Sequence, residues 1–165
     1  MAFLSVLLVL AQSAAPEIAG TWNLDAGRSR VTNEVGWPGL IGAGPPERIH
    51  VTQAANGTVV IESEINESHA RIYKPGGKTS APVAQTSTLT MSSQWEGRTL
   101  SAEGNLIPPS GATVAVKEAI ALSDDGLALT VQISAGANAS TLVYTRTESV
   151  EPCEKWPTPC KPPAK

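Results

Sequence analysis

Most of the chain consists of short runs in which apolar and polar residues alternate, which is the period of a half-buried strand and not of a helix. The first run, residues 18–25 (IAGTWNLD), puts Ile18, Trp22 and Leu24 on one face with Gly20 between them. Residues 48–53 alternate in the same way, Asn56-Gly57 supplies a hairpin turn, and residues 58–65 run back. The next run, residues 68–73, stops at Pro75-Gly76-Gly77, and the Ser/Thr/Pro stretch after it reads as a loop. Residues 86–95 and 98–106 face each other across Glu96-Gly97. Beyond Pro108-Pro109-Ser110-Gly111, residues 113–122 place Val114, Val116 and Ile120 among polar neighbours, with Ala119 disturbing the pattern. Asp124-Asp125-Gly126 turns into residues 127–133, the cleanest alternation, and Gly136-Ala137-Asn138 leads to residues 140–146.

Eight or nine short strands joined by tight turns, with no useful stretch of helical period, predict an all-β, up-and-down antiparallel meander. A meander of that length is expected to curl and close, because closure removes exposed strand edges. A barrel of about eight strands has room for core side chains or for one small ligand. A two-sheet sandwich is the alternative, disfavoured by the lack of long crossovers. The inward candidates are Trp22, Val60, Leu89, Leu100, Val116, Leu129 and Val143, and alternation alone fits a filled barrel as well as a hollow one. One long irregular segment, residues 31–46, carries Trp37, Leu40 and Ile41, which a solvated linker would not need. It reads either as a plug for one end of the core or as a lid over a cavity.

Composition changes the picture mainly by setting the compartment. The 165 residues amount to about one domain, 41% hydrophobic, with a formal net charge of −3 spread along the chain. No basic stripe of the kind nucleic acid requires is present, and no polybasic run that would favour a membrane surface. Residues 3–10 (FLSVLLVL) followed by Ala11-Gln12-Ser13-Ala14-Ala15-Pro16 read as a signal-peptide core and its small-residue cleavage zone, although no Lys or Arg precedes them. The run is too short to span a bilayer. The expected organisation is a signal peptide over 1–15, a barrel domain over 16–148 and a Pro-rich tail over 149–165, in a periplasmic or secreted protein. In an exported chain Cys153 and Cys160, the only cysteines, read as a disulfide. Two thiols without a nearby His do not complete a metal site, so none is expected.

Two features then bear on family. Gly20-Thr21-Trp22 opens the first strand, and Arg146 stands in the last one, within Leu142-Val143-Tyr144-Thr145-Arg146. Together they resemble the lipocalin and calycin superfamily, and more closely the small exported bacterial proteins called lipocalin-like. There a G-T-W-x-L start, here Gly20 to Leu24 and on to Ser29, opens the domain and a late Y-x-R, here Tyr144 to Arg146, ends the sheet. The resemblance spans residues 18–147 and implies a lipocalin-like barrel with structural roles for Gly20, Trp22 and Arg146: the Trp closes one barrel end and the Arg packs across its ring. Avidins and some bacterial protease inhibitors share the G-T-W start, which keeps those readings open.

Candidate chemistry is sparse. Glu67, His69 and Arg71 share one face of a run, which fits an anion site, a base with an orienting carboxylate, or a plain charged row on the solvent side. Ser68 beside His69 is no triad, because neighbouring strand residues point to opposite faces. Phosphate- and dinucleotide-binding glycine signatures are absent, and no cofactor is expected. The reading is a non-enzymatic exported protein that binds a small apolar molecule, with Trp37, Leu40, Ile41, His69 and Arg71 as candidate contacts. The alternative is a protein-interaction module, such as an inhibitor of an exported enzyme; a weak hydrolase or isomerase using His69 ranks last.

Overall fold

The computed structural model describes residues 15–32, 44–63, 70–83 and 87–149. Alternation builds ten strands: β1 Gly20–Leu24, β2 Arg48–Gln53, β3 Val59–Ser63, β4 Arg71–Tyr73, β5 Gly77–Val83, β6 Ser87–Glu96, β7 Thr99–Ile107, β8 Val114–Leu122, β9 Ala128–Ala135 and β10 Asn138–Ser149. All pair antiparallel in one sheet of order β4-β3-β2-β1-β10-β9-β8-β7-β6-β5. The fold is therefore an all-β meander that curls into a nearly closed barrel. β4 and β5, the two ends of the order, are consecutive in sequence but share no ladder among the described residues, which leaves a seam in the wall there. Among the described residues no helix is long and apolar enough to cross a membrane.

The strand number is ten, above the eight or nine expected. The added strand is β5, formed from the Ser/Thr/Pro stretch that read as a loop, and its only ladder is to β6. Pro82 fits there because an edge strand does not need every N–H. Two inward candidates also change phase. Val59 and Ile61 are the fully buried residues of β3 and Val60 is only half-buried, while Val143 is buried in the outward phase of β10. The backbone of residues 25–32 runs alongside β10 at that point: Asp25 N donates to Val143 O (2.8 Å), and Val143 N donates to Ser29 Oγ (3.0 Å).

One end of the barrel is sealed by Trp22, which is 0% exposed. The Arg146 guanidinium lies over its ring at 4.2 Å from the centroid. The same guanidinium donates to Gly126 O (3.0 Å), Ala19 O (2.9 Å) and Glu17 O (3.1 Å), and the Trp22 indole donates to Ile18 O (3.1 Å). Burial pulls Arg146 below its ordinary pKa, and the charge of Glu17 opposes that shift. Gly20 holds φ at 147°, where side-chained residues are strained, beside a register shift between Thr21 and Trp22 that re-aims the indole into the barrel. Gly104 marks a different constraint. A Cβ there would stand 1.8 Å from Thr90 O, so the sheet bends too closely at β6–β7 for any side chain.

Trp22→Ala should lower stability by about 3–5 kcal/mol, as expected for emptying a large core site. Urea denaturation checks this, and a loss under about 1 kcal/mol would remove Trp22 as the anchor of the core. Tyr144 gives a pH signature. Its hydroxyl donates to Pro46 O (3.1 Å), and burial pushes the phenol well above its ordinary range. A folded value above the unfolded one means that Tyr144 contributes fully below about pH 10 and loses that contribution as pH rises beyond it. Tyr144→Phe should cost about 1–2 kcal/mol at neutral pH, with a gap to wild type that narrows above about pH 10. A gap that stays constant or widens would overturn this.

Candidate functional site

The strand period puts Arg71 and Tyr73 on the same face of the short strand β4, both turned inward, at 3% and 1% exposure. Glu118, the middle residue of β8, also turns inward, at 2%. Arg71 Nε donates to Glu118 Oε1 (3.1 Å), and the Tyr73 hydroxyl donates to Glu118 Oε2 (2.6 Å). In the sheet order five strands separate β4 from β8 on one side and three on the other. The contact therefore crosses the lumen, and the three side chains form a polar partition inside the barrel.

Burying this pair carries a desolvation penalty, which the short contacts on both carboxylate oxygens offset. One group is left over. Arg71 Nη2 lies 3.1 Å from Glu118 Oε1, an ion-pair distance, but its N–H groups are aimed at no acceptor among the described residues. Arg71 is also the one buried cation among them.

The wall differs on the two sides of the partition. The inward row one step toward Trp22 is Trp95, Leu100, Ile120, Val131 and Leu142. The row one step the other way is Met91, Gly104, Val116 and Ala135. Along β7 the inward series shrinks from Leu100 through Ala102 to Gly104, and along β9 it ends at Ala135, so these two strands fill less of the lumen on the far side. A cavity of about 580 Å³ lies along β6–β10 at the level of Glu118, lined by the row Ser93, Ala102, Glu118, Ile133 and Ser140 and by neighbours such as Lys117 and Gln132. Its walls mix apolar surface from Ala102, Ala119, Ile133 and Ala139 with hydroxyl, amide and charged groups.

Of the residues singled out from sequence, Trp37, Leu40, Ile41, His69, Cys153 and Cys160 lie outside the described residues. Arg71 does not sit in a solvent-facing row; its side chain is buried and paired across the barrel. Gly20, Trp22 and Arg146 meet at the sealed end, remote in register from the small-residue row. His50, the other histidine, contacts Thr21 Oγ1 through Nδ1 at 3.1 Å. No cluster of three or more metal-ligating side chains occurs among the described residues. Sequence reading missed Glu118 and Tyr73. The signal was present: Glu118 occupies the apolar phase set by Val116 and Ile120, where a charge demands a partner.

Arg71→Met should cost about 3–5 kcal/mol by leaving Glu118 buried without its cation. The double variant Arg71→Met/Glu118→Leu should recover most of that loss, since apolar side chains of similar volume replace the pair. Chemical denaturation of both variants checks this. A double variant no more stable than the single one would show that the partition is held by something other than its charges.

No protein-family model matches the chain, and no curated protein matches it in sequence. The fold is similar to that of a REP1-NXSQ fatty acid transporter, with TM-score 0.56 and 11% identity, over 81% of this chain and 98% of that one. It is also similar to a luciferase domain from the dinoflagellate Lingulodinium polyedrum, with TM-score 0.51 and 12% identity, over 79% of this chain and 42% of that one. An SAHS (abundant heat soluble) protein from Ramazzottius varieornatus matches at TM-score 0.47 and 13% identity, over 61% and 70%. The first two likenesses place the chain among barrels of this architecture.

Proposed function

We propose that this protein is an exported, non-enzymatic binding protein that holds one small apolar molecule in its barrel. The observation that carries the reading is the contrast between the two inward rows. The Trp22 side carries Leu100, Ile120 and Leu142, whereas the other row includes Gly104 and Ala135, whose side chains are absent or minimal. Ten strands give a wider circumference than the eight whose interior side chains can just fill. The seam between β4 and β5 lets the wall part without breaking a ladder, which offers a ligand a way in. The fatty acid transporter of similar fold lends support by analogy. Export rests on the apolar run at residues 3–10, with removal of residues 1–15 and a Cys153–Cys160 disulfide as parts of the same reading. Against an enzyme stands the set that crosses the lumen: Arg71, Tyr73 and Glu118 hold one another, and both carboxylate oxygens are engaged.

Native mass spectrometry of the protein, purified from its own host without detergent, tests the reading. The expected result is a bound mass in the lipid or small-metabolite range. Bare protein that also fails to take up an uncharged fluorescent dye such as Nile red would overturn it.

A further inference from the structure

We infer that Glu118 makes the barrel selective for uncharged ligands carrying an acceptor oxygen (an alcohol, ester or ketone) and turns it against free carboxylates. The inference rests on the lumenal binding reading and names the ligand class. A fatty carboxylate entering an apolar lumen needs a cation, because an unpaired buried carboxylate is too costly to leave charged. Arg71 is the one buried cation among the described residues, and Tyr73 brings a hydroxyl donor beside it. An arginine and a tyrosine aimed at one point would make a carboxylate site. Here that point is already taken. Both Glu118 oxygens are engaged, at 3.1 Å from Arg71 and 2.6 Å from Tyr73, by a side chain that is 0% exposed.

The protein thus carries its own carboxylate where a ligand's would sit. A second carboxylate would meet Glu118 at close range and find no net positive charge. What the partition still offers is an N–H. Arg71 Nη2 is buried and aimed at no acceptor among the described residues, although Glu118 satisfies the charge. A neutral oxygen can accept from it without adding charge to the lumen. The small-residue row begins one step from Glu118, so the apolar body of such a ligand would lie on that side with its polar end at the partition.

The test measures displacement of Nile red by hexadecanol, methyl hexadecanoate and hexadecanoate, which differ in head group on one chain length. Wild type should bind the alcohol and the ester about ten- to a hundredfold more tightly than the acid. Glu118→Gln frees the charge of Arg71, and should tighten hexadecanoate by about the same factor relative to hexadecanol measured on the same variant. Hexadecanoate should also raise the melting temperature of Glu118→Gln and not that of wild type. In Arg71→Met/Glu118→Leu the gain for the acid should vanish. Should Glu118→Gln not fold, wild type decides alone: equal affinity for the acid and its methyl ester overturns the inference. In a folded Glu118→Gln, unchanged acid affinity does the same. If none of the three binds and the dye is not taken up, the binding reading itself falls, and this inference with it.

Discussion

A guanidinium laid flat on an indole holds the barrel shut. Arg146 comes from the last strand, Trp22 from the first, and the carbonyls the guanidinium ties together belong to residues 17, 19 and 126. Three separate stretches of backbone thus share one cation. An arginine suits the place because its charge is spread over a plane that stacks on a ring while its edge donates to carbonyls. Without that plug, the rows above it (Leu142, Ile120, Leu100) would face water at their lower side and lose much of the benefit of burial.

The second arginine works by the opposite logic. Arg146 is partly exposed and donates to backbone carbonyls, whereas Arg71 is fully inside and must meet a full negative charge. Pairing it with Glu118 across the lumen fixes how far apart two opposite walls stand. An apolar contact would not set that distance, since hydrophobic side chains slide and repack with little directional preference. The partition therefore sets the barrel's width at mid-height.

Much of the fold was legible because a half-buried sheet writes its period into the chain. β9 follows its alternation closely, and the turns at Asn56-Gly57 and Asp125-Gly126 fall where Gly takes positive φ. β5 was not legible: an edge strand held by one ladder can be built from Ser, Thr and Pro, so no apolar period announces it. The same physics hid the site. A charged row reads as surface unless its partner is known, and the partner of Arg71 lies 47 residues away in sequence. Glu118 stood in an inward phase, but alternation says only that a residue points in, and nothing about which opposite strand it meets.

The sheet order also governs the timing of folding. Strands β1–β4 form one hairpin-built half and β5–β10 the other, and the ladder that joins them is β1 with β10. Because β4 and β5 share no ladder, each half can form its local hairpins early, but the two stay unjoined until the last strand arrives. That pairing brings together residues more than a hundred positions apart, such as Leu24 with Tyr144, so its loop-closure entropy is high and assembly is slow for a chain of this size. A chain whose β10 is still held back is therefore an open sheet, and closure of the wall waits on that strand.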